Sequence, residues 1–164
     1  MNATESAARA TKPGLVHLFT MRATLAPGLD GGEGPLGRRT LNAVAKGDFA
    51  GDRLRGEINP GTGDWMLTRN NIRVVDARVV LRTDDGALIH MSYGGRIMFP
   101  DDLGEAVRDP SSRHLIDPSR YYFRTTPLFE TGAAKYAWIN GIVAVGSGRL
   151  IEDGGVAYDV FELR

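Results

Sequence analysis

Apolar and polar residues alternate along most of this chain. In the segment 15–25, one face carries a histidine and a row of apolar residues: Leu15, His17, Phe19, Met21, Ala23 and Leu25. In the segment 72–83, a second face carries Val75, Ala77, Val79 and Leu81. Alternation with a period of two is typical of β-strands that turn one side toward a core. The pattern therefore predicts strands at both places.

The same alternation recurs in further stretches that turn signals separate. They are "RRTLNAVAKGDF", "DRLRGEIN", "ALIHMSYGGRIMF", "RYYFRTTPLFE", "KYAWINGIVAVGSG" and "VAYDVFEL". Asp84–Gly86 predicts a hairpin turn, since Asp-Gly tolerates the positive φ angles that such turns need. Gly94–Gly95 predicts a β-bulge, Gly146–Gly148 a turn, and Ala26–Gly37 a mobile loop or lid. One short helix is expected within residues 100–109, where a proline precedes two aspartates.

About eight to ten strands without alternating helices predict an all-β fold with antiparallel pairing. Closure into a barrel is the simplest way to remove exposed strand edges. We therefore predict a single antiparallel β-barrel over residues 14–164, with one short helix. The small, polar residues 1–13 predict a disordered tail.

Charge and composition exclude several classes of function. Twenty basic residues balance twenty acidic ones, so the chain lacks the basic excess of nucleic-acid-binding proteins. No apolar run suits a transmembrane helix or a signal peptide, so we expect no membrane association and a cytoplasmic location. The chain contains no cysteine, which excludes disulfides, thiolate nucleophiles and cysteine-bound metals. The three histidines lack metal-ligand spacing, and no dinucleotide or phosphate-loop motif is present, so neither a metal nor a cofactor is predicted.

The segment 121–140, "YYFRTTPLFETGAAKYAWIN", combines charges with aromatic rings. Arg124 and Glu130 have the same parity on one predicted strand. Pointing inward, Arg124 would hold a carboxylate or enolate oxygen through its planar guanidinium group. The alternative is an internal Arg124–Glu130 salt bridge that neutralises two buried charges.

Three polar or aromatic residues of the next predicted strand, Tyr136, Trp138 and Asn140, also share one face. Pointing inward, they would supply a stacking wall and hydrogen-bonding groups, the usual mixture in a ligand pocket. Pointing outward, they would form a dimer contact, and core packing is a third explanation. Asp64 and Trp65 follow a glycine-rich turn, where a carboxylate and a broad apolar ring suit a pocket rim.

Four blocks of the sequence together resemble the domain-of-unknown-function 3237 family. They are "GDFAGDRLRGEINPGTGDW", "LRTDDGALIHMSYGG", "YYFRTTPLFETGAAKYAWIN" and "VAYDVFEL", and the resemblance extends from about Leu15 onward. It implies a compact antiparallel β-barrel and no established activity. The residues on the recurring blocks are Asp64, Trp65, Asp84, Asp85, Gly86, Arg124, Thr125, Pro127, Glu130, Tyr136, Trp138 and Asn140. The "NPGTGDW" and "KGDFAGDRL" stretches depart from the family's pattern, which leaves ligand choice open.

The leading hypothesis is a cofactor-independent isomerase, lyase or cyclase that moves a proton on a small aromatic, enone or carboxylate metabolite. Glu130 or Asp64 would act as the base and Tyr136 as an acid. The other candidate ligand-binding residues are Trp65, Tyr93, Arg96, Arg124, Trp138 and Asn140. A carboxylate base needs a pKa raised by burial, which an aromatic-lined barrel provides.

Two other functions fit the same sequence. A non-catalytic carrier or sensor would hold a similar ligand unchanged, because the sequence shows no complete set of catalytic residues. A purely structural dimer would use the aromatic segment as its interface. A homodimer is compatible with all three interpretations.

Overall fold

The structure is a computed structural model that describes residues 12–164. The predicted tail at 1–13 therefore lies almost entirely outside the described residues. The ten strands are β1 (Leu15–Leu25), β2 (Leu29–Gly34), β3 (Gly37–Ala50), β4 (Arg55–Ile58), β5 (Gly63–Arg69), β6 (Ile72–Thr83), β7 (Leu88–Met98), β8 (Tyr122–Glu130), β9 (Ala144–Leu150) and β10 (Val156–Leu163). One α-helix, α1 (Gly104–Arg108), follows a 3₁₀ turn at Asp101–Leu103. Further 3₁₀ segments lie at Arg113–Leu115, Pro118–Arg120 and Ala134–Gly141.

Every strand pairing is antiparallel, and eight strands close into a barrel. The closed ring runs β1–β10–β9–β8–β7–β6–β5–β3 and returns to β1. The two extra strands are β2, which extends β3, and β4, which also bridges β3 and β6. The predicted all-β antiparallel barrel with one short helix is thus confirmed. Within residues 12–164, no helix is long and apolar enough to cross a membrane.

Aromatic and aliphatic side chains fill one end of the barrel. Phe19 packs edge-on against Phe49 and Phe129, with ring centroids 5.6 and 6.0 Å apart. The 3₁₀ segment Ala134–Gly141 lies across this end and buries Ile139. We call it the packed end. The opposite end, bordered by the segment between β7 and β8, keeps an internal cavity.

The predicted strand through Tyr136, Trp138 and Asn140 is wrong in its first half, which forms the 3₁₀ segment Ala134–Gly141. Asn140 holds this segment against the end of β8: its Oδ1 accepts from the Thr131 amide at 2.8 Å, and its Nδ2 donates to the Thr131 carbonyl at 2.9 Å. The Tyr136 hydroxyl reaches the Asp85 carboxylate at 3.1 Å. These side-chain bonds hold the 3₁₀ segment against the end of β8 and the β6–β7 hairpin.

The loop, the β-bulge and the turn that were predicted at three glycine-rich positions are also wrong. Ala26–Gly37 contains β2 instead of a mobile loop, and β6 and β7 stay in register through Gly94–Gly95 without a bulge. Gly146–Gly148 lies inside β9, where Gly148 leaves room for the Phe123 ring, which a Cβ would approach to 2.6 Å. The hairpin at Asp84–Gly86 is present, with φ of +86° at Gly86.

A register shift in β1 breaks its predicted alternation. The shift falls between His17 and Phe19. It changes which side of the barrel the strand residues face, so Leu15 and His17 are exposed whereas Phe19 and Met21 are buried. His17 contacts the Thr20 hydroxyl at 3.1 Å.

Candidate functional site

A cavity of about 600 Å³ occupies the open end of the barrel. Its walls are mainly apolar and include Met21, Val44, Met66, Ile97, Phe99 and Phe123. Its polar lining comes from a few side chains: Asn42, Asp64, Arg73, Tyr93, Arg113, Asp153 and Tyr158. An apolar cavity with a few converging polar groups is typical of a small-molecule site.

Asp64 and Tyr93 lie in one row across three neighbouring strands. Asp64 of β5 pairs with Ala77 of β6, and Ala77 pairs with Tyr93 of β7. The Oδ1 atom of Asp64 accepts a hydrogen bond from the Asp76 amide at 2.8 Å, which orients the carboxyl group. Burial raises the pKa of Asp64 to about 6, and the Asp76 amide offsets part of this rise. Asp64 therefore titrates close to neutral pH, where a carboxyl group can both accept and return a proton.

Two buried tyrosines face the same cavity. The rings of Tyr93 and Tyr158 meet edge-to-face with centroids 5.8 Å apart. Burial raises the pKa of both hydroxyls, and the nearby Asp64 carboxylate raises them further. Both phenols therefore stay protonated at neutral pH and are able to donate hydrogen bonds to a bound oxygen. Phe123 packs edge-on against Tyr158 at 5.1 Å and supports its ring.

Two arginines lie at the other end of the cavity lining. Arg73 of β6 lies over the Phe99 ring, 4.9 Å from its centroid. Burial lowers the pKa of Arg73, and the positive charges of Arg113 and Arg108 lower it further. Arg113 donates from Nη2 to the Gly154 carbonyl at 2.5 Å, and its buried Nε has no hydrogen-bond partner within residues 12–164. The described residues provide no carboxylate that forms an ion pair with Arg73 or Arg113.

Arg124 and Glu130 face the outside of the barrel, so the expectation that they point inward is wrong. Along β8, residues Phe123, Thr125, Pro127 and Phe129 are buried and their neighbours are exposed. Arg124 and Glu130 are six residues apart on one strand, about 20 Å, so they form no internal salt bridge. Arg96 also faces outward, directly opposite Arg124 on β7.

The remaining candidates lie away from the cavity. Trp138 stacks against the Arg53 guanidinium group, 3.3 Å from the ring centroid. Tyr136 and Asn140 belong to the packed end, as described above. Trp65 is 51% exposed on the outer side of β5, although its neighbour Asp64 lines the cavity. Of the sequence candidates, the structure brings together Asp64 and Tyr93.

Sequence reasoning missed five of the seven polar residues that line the cavity: Asn42, Arg73, Arg113, Asp153 and Tyr158. Arg73 has the same parity as Val75 and Ala77, so an arginine on the apolar face of β6 was a detectable signal. Tyr158 lies in a correctly predicted strand but carried no distinguishing motif. Arg113 begins the three-residue 3₁₀ segment Arg113–Leu115, which is too short for periodicity to give information. Within residues 12–164, no group of three or more His, Asp or Glu side chains is arranged to hold a metal ion.

Comparison with known proteins identifies relatives over nearly the whole chain. A UPF0311 protein of Clostridium acetobutylicum is 37% identical over 129 residues, covering 77% of this chain and 80% of that protein. A β-barrel-like protein from Acinetobacter baumannii has a TM-score of 0.81 at 31% identity, over 96% of this chain and 99% of that one. A conserved protein of unknown function from Rhodopseudomonas palustris has a TM-score of 0.84 at 27% identity, over 94% and 100%.

A more distant structure is described as an enzyme from Penicillium herquei. It has a TM-score of 0.67 at 19% identity and covers 96% of this chain and 98% of its own, a likeness that shows the shared fold alone. The profile of the family described as "Protein of unknown function (DUF3237)" matches residues 13–163. The chain therefore belongs to the DUF3237 family of uncharacterised β-barrel proteins.

Proposed function

We propose that the barrel is a cofactor-independent enzyme that moves a proton on a small organic acid bound in the central cavity. The observation that carries this proposal is the shared row of Asp64 and Tyr93, a carboxyl group of raised pKa beside a protonated phenol. A base and a hydrogen-bond donor on one cavity wall are the minimum for acid–base catalysis. Isomerisation, dehydration and cyclisation are the reactions that these two groups support.

In this proposal the Asp64 carboxylate removes a proton from a carbon or hydroxyl group of the substrate. The electron pair left behind moves onto a substrate oxygen, and the Tyr93 and Tyr158 hydroxyls donate hydrogen bonds to that developing oxyanion. The proton then returns to another atom in an isomerisation, or leaves with a hydroxyl group as water in a dehydration. General acid–base catalysis of this kind is typically worth about 10²–10⁴-fold in rate.

The two cavity arginines select the substrate class. Arg73 lies four residues along β6 from Ala77, so its Cα is about 13 Å from the Asp64–Tyr93 row. Its side chain and that of Arg113 line the cavity, and neither forms an ion pair with a carboxylate of residues 12–164. A planar guanidinium group binds a carboxylate bidentately. A substrate with a carboxylate at one end and its reacting centre several bonds away spans this distance.

This assignment keeps Asp64 and Tyr93 from the sequence candidates and adds Arg73, Arg113 and Tyr158. Glu130 and Tyr136 have no role in the proposed proton transfer because they lie outside the cavity lining. A cytoplasmic location and a homodimer stay predictions.

The proposal is tested first by finding a ligand and then by measuring turnover. A panel of small carboxylic acids, each with its amide analogue, is screened for thermal stabilisation of the wild-type protein and of Arg73→Gln. A ligand at about 100 times its dissociation constant adds roughly 2.7 kcal/mol of stability. We expect acids to stabilise the wild-type protein more than their amides do, and Arg73→Gln to lose the part of that stabilisation that comes from binding in the cavity.

Turnover is then measured as exchange of deuterium from heavy water into the bound acid. Asp64→Asn should lose at least about 100-fold in rate, with kcat/KM of the wild type rising with pH through about 6. Asp48→Asn is the matched control, because Asp48 is an exposed carboxylate of β3 outside the cavity lining, and it should retain the wild-type rate. Acids that bind without any exchange or conversion would reject the enzyme and favour the non-catalytic carrier.

A further inference from the structure

Two arginines face each other on the outside of the barrel. Arg96 of β7 pairs in register with Arg124 of β8, and Arg124 pairs with Ser147 of β9. Each guanidinium group donates to a nearby carbonyl, Arg96 to Gly95 and Arg124 to Phe123, both at 2.8 Å. The two side chains therefore belong to one row across three strands.

The pair is electrostatically uncompensated. Like charges directly opposite each other on neighbouring strands destabilise a sheet. Within residues 12–164, neither Arg96 nor Arg124 forms an ion pair. The described residues that line the surface around them include no Asp or Glu. An anion placed between the two guanidinium groups would remove this repulsion.

The arginines line a concave groove of about 600 Å³, separate from the central cavity. Its floor contains the backbone of Gly94, Gly95 and Gly146, and the missing side chain of the outward-facing Gly94 adds to the depression. Its apolar walls are Leu15, Tyr122, Val145 and Phe161, and hydroxyl groups come from Thr126 and Ser147. Leu15 and Tyr122 are 57% and 46% exposed, so the apolar surface is open to solvent.

We propose that this groove, the arginine groove, binds a small carboxylate that carries an apolar body. The guanidinium groups of Arg96 and Arg124 hold the carboxylate oxygens, while the aromatic and aliphatic walls cover an aryl or alkyl group. A bare inorganic anion would leave those walls uncovered. The site is distinct from the acid–base site, so it stands whether or not the central cavity is catalytic.

The test uses ¹H–¹⁵N nuclear magnetic resonance on the whole chain, because glycines line both sites. The amides of Gly94, Gly95 and Gly146 report on the arginine groove, and those of Gly28, Gly63 and Gly154 report on the cavity. Benzoate is titrated, with benzamide as its neutral isostere and inorganic phosphate as the bare anion. We expect benzoate to shift the groove glycines saturably, and benzamide and phosphate to bind them at least about tenfold more weakly.

Variants separate the groove from general charge effects. Arg96→Gln/Arg124→Gln should weaken benzoate binding at the groove at least about tenfold, whereas Arg73→Gln should leave it unchanged. Arg22→Gln/Arg55→Gln removes two exposed arginines elsewhere and is the matched control. The proposal is overturned if only the cavity glycines respond, if benzamide binds equally well, or if the groove variant retains binding. It is also overturned if light scattering shows a dimer that Arg124→Gln dissociates, since a second copy would then occupy the groove.

Discussion

At the scale of single residues, Asp64 makes the stability of the fold depend on pH. Its folded-state pKa of about 6 lies above the ordinary value of 3.8, because burial disfavours the charged form. Between these two pH values the folded protein binds this proton more tightly than the unfolded chain does. Stability from this group is therefore complete below pH 3.8 and is lost as the pH rises through about 6.

Asp64→Asn should consequently stabilise the protein at pH 8. A shift of about two pKa units corresponds to at most about 3 kcal/mol, or several degrees in Tm. Asparagine keeps an oxygen that accepts from the Asp76 amide, so the local geometry is retained. Thermal unfolding of variant and wild type at pH 8 and pH 4 measures the effect, which should disappear at the lower pH. An equal Tm difference at both pH values would show that the carboxylate is not the cause.

Asn140 is the residue that secures the packed end. Its two hydrogen bonds to the Thr131 backbone are lost in Asn140→Ala, and both backbone groups are then left without that partner. We expect a loss of about 2 kcal/mol or more, because each net hydrogen bond is worth roughly 1 kcal/mol. Denaturant unfolding gives the value.

Asn59→Ala is the control for Asn140, since the Asn59 side chain makes only longer bonds of 3.3 Å to Pro60 and Arg82. That variant should lose less than about 0.5 kcal/mol. Equal losses of stability in the two variants would mean that the two hydrogen bonds between Asn140 and Thr131 contribute no more than the longer bonds of Asn59.

At the scale of secondary structure elements, β9 supports the cavity through a glycine. A Cβ at Gly148 would lie 2.6 Å from Cγ of Phe123, and Phe123 in turn packs against Tyr158. Gly148→Ala should therefore destabilise the barrel by about 1–3 kcal/mol, as expected for an overpacked core. It should also weaken ligand binding in the cavity through the displaced Phe123.

Two further variants check whether a clash with the Phe123 ring causes the destabilisation by Gly148→Ala. Gly132→Ala is the matched substitution at a site with no heavy atom within 4 Å of the new methyl group, and it should leave stability nearly unchanged. Gly148→Ala/Phe123→Leu should recover part of the loss if the clash is with the ring. Residues in contact are expected to couple energetically. If the stability losses of Gly148→Ala and Phe123→Leu simply add in the double variant, the Gly148→Ala strain does not come from contact with the Phe123 ring.

At the scale of the whole molecule, alternation predicted the strands better than it predicted their orientation. Strand β8 was correctly predicted, but both of its faces carry apolar residues, with Phe123 inside and Leu128 outside. Its parity alone therefore did not reveal that Arg124 faces solvent. In β1, the register shift after His17 exchanged the faces, and no turn residue signals such a shift.

The cavity was only partly predictable for a related reason. Asp64 and Tyr93 lie on strands, where parity constrains the direction of a side chain. Arg113 reaches the cavity because an irregular segment folds over the open end and bonds to Gly154, forty-one residues later. Tertiary packing of this kind leaves no local pattern in the sequence. Tertiary contacts also explain why the "KYAWIN" stretch forms a 3₁₀ segment and not the predicted strand.

The packed end also bears on how reactants would move through the barrel. Phe19, Leu81 and Ile89 are fully buried there, so residues 12–164 leave the cavity open at the opposite end alone. A reactant and its product must then pass through the same mouth in turn. The product would therefore block the next reactant until it leaves, and it should act as a competitive inhibitor.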